Sequence, residues 1–485
     1  MKQIIYILSI CGLCACSSGD GFSGSSGDET GIFPDYAGIT APVNIAPLNF
    51  SVLNRQKAAA VFTCGGYSFK LSSDRRGRFV IPPKKWRKLL EQAKGHQFDV
   101  KVRIKGAEEQ LFSIFVAEEP VDEYIAYRLI EPGYVVYNRM GIYQRDLQSY
   151  RQSVILENEM TGDGCMNCHS FCCGNPDRMM FHLRQYHAGT VLIDGDRIEF
   201  LNTTTGQTIS PLVYPSWHPS GQFIAFSVNT TEQIVHQQQR VEVFDKQSDV
   251  VVYDVQDKTI LASPLTFSES SLETFPAFSP DGRTLYFCSG KSCAIPDSTP
   301  QLKYHLCSVA FDPATKMFGD RADTLYNADT NGMSVSFPRI SPDGRFLVCT
   351  LSSYGTFPIW HKDADLYLID LQTGEGKYLE TVNSDDTESY HSWSSNSRWL
   401  VFSSRRLDGL YTRPYFVYIN GNGEAAKPFL LPQKEPETYY QSLLKSYNIP
   451  EFITGKVRNR AYRMMRMTED STTAENITFE LRIKN

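Results

Sequence analysis

The strongest constraint on the fold is a segment that recurs four times in the second half of the chain. It reads "PSWHPSGQFIAFSVN" from Pro215, "PAFSPDGRTLYFCSG" from Pro276, "PRISPDGRFLVCTLS" from Pro338 and "HSWSSNSRWLVFSSR" from His391. Each copy has an apolar or aromatic residue, a Ser or His, a turn pair and then an apolar strand running into Ser or Thr. Asp281-Gly282 and Asp343-Gly344 are the chemistry of a tight hairpin, because Gly accepts a positive φ without steric cost. The residues beyond each turn alternate as a half-buried strand does. Successive turns stand 53 to 62 residues apart, a period of propeller blades rather than of helical solenoids.

A further strand follows in the units, as in "SDVVVYDVQDKTI" and "ADLYLIDLQTGEGKYL", whose apolar runs close at Asp254 and Asp370. Together these segments resemble the TolB-like, WD-type β-propeller repeat, with a signature near "SPDG-x-x-(L/I)-x-F-x-S". The resemblance implies an all-β, multi-bladed propeller, against the alternative of a β-sandwich with coincidental hairpins. Four clear units cover 211–430. The stretches 123–147 and 189–209 also read as short strands with turns and supply degenerate blades, for an expected total of six. Residues 35–118 give five or so strands and a short helix at "KKWRKLLEQA", which fits an immunoglobulin-like β-sandwich in size and pattern. The expected division is a first degenerate blade over 119–160, an insertion over 161–188, a propeller over 189–432, and a C-terminal helix and closing strand over 433–485. For the final "NITFELRIK" two roles stand open, closing the propeller or packing beside it.

The insertion, "GDGCMNCHSFCCGNPDRMMFHLRQYH" (162–187), concentrates four of the 12 cysteines. Cys165-Met166-Asn167-Cys168-His169 is C-x-x-C-H, the attachment sequence of c-type haem. In that reading Cys165 and Cys168 form thioethers to the porphyrin and His169 is the proximal iron ligand. Met179, Met180, His182 and His187 are candidates for the opposite ligand, carried on a helix starting at Asp177. A haem-binding loop and helix between two early blades is therefore expected. The same residues read as C-x2-C-x13-H-x4-H, a zinc spacing, and a disulfide cluster is a third possibility. Cys172 and Cys173 have no haem role, and adjacent cysteines bond each other only in a strained ring. Cys288 and Cys293 flank a short loop and read equally as a disulfide or as buried thiols.

The N-terminus bears on compartment. Lys2, an apolar run and a cysteine behind small residues have the layout of a secretory signal peptide. Leu13-Cys14-Ala15-Cys16 resembles a bacterial lipobox, which implies a lipoprotein signal peptide and lipobox over 1–16, with Cys16 the lipidated first residue of the mature protein. The following "SSGDGFSGSSGDET" suits a flexible tether over 17–34. Ser17 after the lipid cysteine implies, by resemblance to bacterial lipoproteins, the outer membrane. An exported chain meets an oxidising compartment, where haem c also matures. Net charge is −6 with scattered Lys and Arg, so nothing points to a nucleic-acid partner and none is expected.

Three functional classes follow. The first is an electron carrier with one covalent haem and a redox partner. The second is a binding scaffold that meets an envelope protein on the propeller face, touching the membrane through its lipid alone. The third is an enzyme, such as a haem peroxidase or a propeller hydrolase; for the latter no G-x-S-x-G nucleophile elbow is present.

Overall fold

The computed structural model describes residues 31–483, apart from 54, 105, 107, 134–137, 236–240, 294–298 and 470–474. The signal sequence, Cys16 and most of the tether lie outside the described residues.

Six sheets of four or five strands follow one another along the chain. In the second to sixth, the chain enters at the innermost strand and steps outward through antiparallel neighbours. Those inner strands are Cys165–Phe171, Val213–Trp217, Ser271–Phe278, Ser334–Ile340 and Glu388–Trp393. The first sheet is built from Tyr124–Ile130, Gly141–Asp146 and Gln152–Glu157, and its inner strand arrives from far downstream as Ser446–Ile453. Each inner strand contacts the next, and the last contacts the first, so the sheets close a ring: the molecule is a β-propeller.

The repeats owe their likeness to turn chemistry. In the fourth sheet the Ser279 hydroxyl donates to Asp281 Oδ1 at 2.5 Å, while Arg283 N–H donates to the same carboxylate and Thr284 N–H to the Ser279 oxygen. The fifth sheet repeats this with Ser341, Asp343 and Phe346, and the sixth with Ser394, Asn396 and Trp399. Gly282 and Gly344 take the left-handed position, with φ +71° and +75°. Between neighbouring sheets lie separate apolar cores, for example Phe223, Phe278, Phe287 and Phe311 between the third and fourth.

Before the propeller, a three-stranded sheet (Ile32–Phe33, Phe50–Val52, Arg78–Phe79) and a five-stranded sheet share a core with the helix Pro83–Ala93. In the larger sheet Thr40–Ala41 runs parallel to Gln110–Val116, followed by Gln97–Ile104, Ala58–Cys64 and Tyr67–Ser72. Trp86 of the helix is fully buried and donates its indole N–H to the Ile45 carbonyl. This core runs on into Ile125 and Tyr127 of the first sheet and Trp399 and Phe416 of the sixth. The N-terminal unit therefore covers the seam where the ring closes.

One expectation is corrected. The stretch after Asp177 is a strand, Arg178–Arg184, rather than a helix, paired with Cys165–Phe171 and Gly189–Asp194. Its apolar residues serve two cores: Met179, Phe181 and Leu183 face the first sheet, and Met180 joins the core toward the third. A strand buried on both faces reads as a continuous apolar run, which periodicity alone does not separate from a helix. The cysteine-rich stretch is thus no loop and helix insertion; it forms the two inner strands of the second sheet. Of the two roles left open for the final strand, packing beside the propeller is the one observed. The ring is closed by "SYNIPEFI", whereas Glu475–Asn476 and Thr478–Leu481 run parallel to the outer edges of the second and third sheets. Thr478–Leu481 is largely exposed and carries Glu480, which suits an edge and not the centre.

Candidate functional site

Each of the six inner strands carries a bulge at the same place. The register with its neighbour slips between Asn167 and Ser170, Val213 and Ser216, Thr274 and Ala277, Ser336 and Arg339, Ser389 and Ser392, and Asn448 and Glu451. Inside every slip one residue has a left-handed backbone: Cys168, Tyr214, Phe275, Phe337, Tyr390 and Ile449, with φ from 48° to 54°. For such bulky residues this costs on the order of 1–3 kcal/mol each and persists where the surroundings over-determine it. A bulge re-aims the side chains that follow it. Two places on, Ser170, Ser216, Ala277, Arg339, Ser392 and Glu451 occupy equivalent positions around the axis.

The result is an axial cavity of ≈ 380 Å³ bounded by inner-strand residues of all six sheets. Phe171, Trp217, Phe278, Trp393 and Phe452 give it aromatic walls. The indoles are fixed across the seams: Trp217 donates to the Ser170 carbonyl and Trp393 to the Arg339 carbonyl. Glu451 accepts a hydrogen bond from Phe171 N–H at 3.0 Å through Oε1. Burial pushes its carboxyl up to about 8, although the Phe171 N–H and Arg339 both pull it down. The Arg339 guanidinium stacks over Phe337 at 4.0 Å and donates to the Pro338 carbonyl at 2.8 Å. Burial lowers it to about 10 against the pull of Glu451. Neither charge forms an ion pair among the described residues.

His169 follows left-handed Cys168 just as His391 follows left-handed Tyr390, and four prolines (Pro215, Pro276, Pro338, Pro450) hold the same place in the other strands. Both histidines are buried and burial drives both down to about 3, so they are neutral. His169 bonds the Ile449 backbone and His391 donates through Nε2 to the Val348 carbonyl. The second ring nitrogen of each is closed over without a partner.

The other sequence candidates are dispersed. Met179 and Met180 are fully buried in different cores, and His182 is buried with Nδ1 3.0 Å from the Thr190 hydroxyl. His187 is half-buried in the turn after the strand. None of the four lines the cavity that His169 borders. Cys165 packs on the core between the first and second sheets, while the Cys168 sulfur accepts the backbone N–H of Tyr214 in the third. A porphyrin held by two thioethers needs both sulfurs at one edge and an open imidazole nitrogen. As folded, these residues do not fit haem c. Among the described residues no group of three or more His, Cys, Asp or Glu is gathered to hold a metal ion. The nine described cysteines form no disulfide, and Cys288 is fully buried.

Cys173 stands exposed at the cavity mouth, left-handed at φ 49°, beside buried Cys172. A hydrogen bond from Cys172 and the charge of Arg178 lower the Cys173 thiol to about 7, against burial. Cys172 is correspondingly pushed up. Arg339 and Glu451 are the residues that motif reading missed. The available signal was positional: in "PSW", "PAF", "PRI", "HSW" and "PEF" the second residue is small except at these two sites.

The architecture is that of an all-β propeller with a ligand-sized axial cavity. No protein-family model matches the chain, and no curated protein does. Among solved structures, TolB from Acinetobacter baumannii aligns over 76% of this chain and 85% of its own, at 12% identity and a TM-score of 0.42. The hydrazine synthase of Kuenenia stuttgartiensis aligns over 66% of this chain and 48% of that one, at 12% identity and a TM-score of 0.44. An apocarotenoid oxygenase from Synechocystis covers 79% and 91%, at 10% identity and a TM-score of 0.38.

Proposed function

We propose that the protein is an exported, lipid-anchored binding scaffold of the cell envelope, which engages its partner on the propeller face at the mouth of the axial cavity. The observation that carries this reading is the cavity itself: all six inner strands contribute to it, and it holds a guanidinium and a carboxyl that form no ion pair among the described residues, set between aromatic walls. Ligand sites are typically concave and mostly apolar, with a few placed polar groups. Export and anchoring rest on the lipobox at Cys16 and the tether behind it, with the outer membrane as destination. No helix of the described residues is long and apolar enough to cross a membrane.

Covalent haem on Cys165 and Cys168, with electron transfer to an envelope partner, is the rival proposal. Against it stands the engagement of the Cys168 sulfur by the Tyr214 N–H of the third sheet, while Cys165 packs on the core toward the first. A single preparation decides between them. Full-length protein is expressed with a haem-maturation system, and a benzophenone maleimide is attached to Cys173 at the cavity mouth. On the binding reading, illumination in cells gives one discrete envelope adduct that disappears in the Trp217→Ala/Trp393→Ala double variant, and the purified protein is colourless. An adduct unaffected by the double variant overturns the cavity as the binding site. A Soret band surviving acid–acetone extraction establishes the haem reading instead.

A further inference from the structure

Of the six ring positions around the axis, four carry Ser or Ala and two carry ionisable groups of opposite sign. The small side chains of Ser170, Ser216 and Ser392 border the space that becomes the cavity. Arg339 belongs to the fifth sheet and Glu451 to the first, and the equivalent position of the sheet between them is the small Ser392. The two charges therefore face one enclosure without closing on each other. Part of each is already committed. One guanidinium nitrogen of Arg339 is held by the Pro338 carbonyl, and Glu451 Oε1 by the Phe171 N–H. The rest of the guanidinium fork and Glu451 Oε2 remain for a guest. Enclosed charges are stabilised only when partnered, and a guanidinium matches a carboxylate with two parallel donors. Between the charged groups the walls are aromatic.

Resting on the binding reading above, we infer that the axial cavity takes a small zwitterion with an apolar body, of the class of α-amino acids and short peptides. Its carboxylate lies on Arg339, its ammonium on Glu451, and its apolar side chain lies between Trp217 and Trp393. Recognition requires Glu451 to ionise when the ammonium arrives. The groups facing that carboxyl are Arg339 from the fifth sheet and Cys173 and the Phe171 N–H from the second. Asp122 at the mouth is engaged, accepting both the N–H and the hydroxyl of Ser395. Empty, the carboxyl holds its proton up to about 8, so binding at pH 7 expels that proton. Affinity for a peptide then rises from pH 6 toward pH 8. It falls above, where an α-amino group of pKa about 7.7–8.0 loses its own charge.

The test is calorimetry on the full-length protein in detergent with L-leucyl-L-phenylalanine, its C-terminal amide and its N-acetyl derivative, in two buffers of different ionisation enthalpy. The free dipeptide is expected to bind with release of close to one proton, and each capped form to bind at least about tenfold more weakly, the factor expected for losing one charged hydrogen-bonded contact. Arg339→Gln should erase discrimination against the amide alone. Glu451→Gln should erase discrimination against the N-acetyl form, together with proton release. The capped ligands give the answer on the wild-type protein even where a variant fails to fold. Equal binding of all three ligands, or none by any, overturns the zwitterion class. If Cys173 adducts still depend on Trp217 and Trp393 in that event, the binding reading stands and only this inference falls.

Discussion

At the scale of single residues, adjacency does not make Cys172 and Cys173 alike. Cys172 is buried, with its thiol 3.8 Å from the His218 carbonyl, and it keeps its proton. Cys173 is exposed and lowered to about 7 by the hydrogen bond from Cys172 and by Arg178. Only the thiolate is nucleophilic, so iodoacetamide at pH 7 should modify Cys173 ahead of Cys64, Cys168, Cys172, Cys288 and Cys349. Its rate should climb with pH and level off above about 8. Cys172→Ala removes the donor and should move that midpoint toward the ordinary thiol value of about 8.5. Peptide mass spectrometry over a pH series reads both effects; uniform alkylation would contradict them. His169 teaches a related lesson about legibility. "CMNCH" has the letters of a haem anchor, yet Cys168-His169 fills the backbone position of Tyr390-His391. The repeat was hidden there because cysteine replaces the aromatic residue. The turn that follows also spans six residues, 172–177, where 218–222 in the third sheet spans five.

At the scale of elements, the hairpin turns of the repeat were legible because their side chains bond their own backbone, so local sequence suffices. What surrounds each turn was not legible, since that depends on the neighbouring sheet. Gly282 and Gly344 make the difference measurable. Both have a left-handed backbone, and Ala at either position carries a strain of about 1 kcal/mol. Around Gly344 a Cβ meets nothing within 4 Å, whereas at Gly282 it would stand 2.0 Å from His218 Nε2. That ring cannot easily yield: it is bonded to the Gly282 carbonyl at 3.0 Å and packed edge-on against Phe223, Phe278 and Phe311. Overpacking of this kind costs about 1–3 kcal/mol more. In urea denaturation Gly282→Ala should therefore lose roughly 2–4 kcal/mol and Gly344→Ala about 1 kcal/mol. Equal losses would mean that the seam between third and fourth sheets yields more easily than its contacts imply.

At the scale of the whole molecule, the ring is held shut by one strand from each end of the propeller sequence. Tyr124–Ile130 begins it and Ser446–Ile453 returns to pair with it, in the interval roofed by the N-terminal unit. The returning strand contributes Tyr447, Phe452 and Ile453, all at 3% exposure or less, and carries Glu451 into the cavity. Burying three such side chains stabilises the fold by about 5–9 kcal/mol at roughly 1.5–3 kcal/mol each. That is comparable with the whole stability of a typical domain, about 5–15 kcal/mol. Its loss would also leave a row of unpaired N–H and C=O groups at the axis, a template for aggregation. The strand pair at 475–481 sits on outer edges, and its side chains from Thr478 to Leu481 are mostly exposed. Two truncations separate these roles. Ending the chain after Glu469 should preserve a cooperative thermal transition without aggregation, with a modest fall in Tm. Ending it after Pro432 should abolish the cooperative transition and give aggregates by light scattering. If the shorter chain melted like the longer one, closure by Ser446–Ile453 would not be what holds the ring.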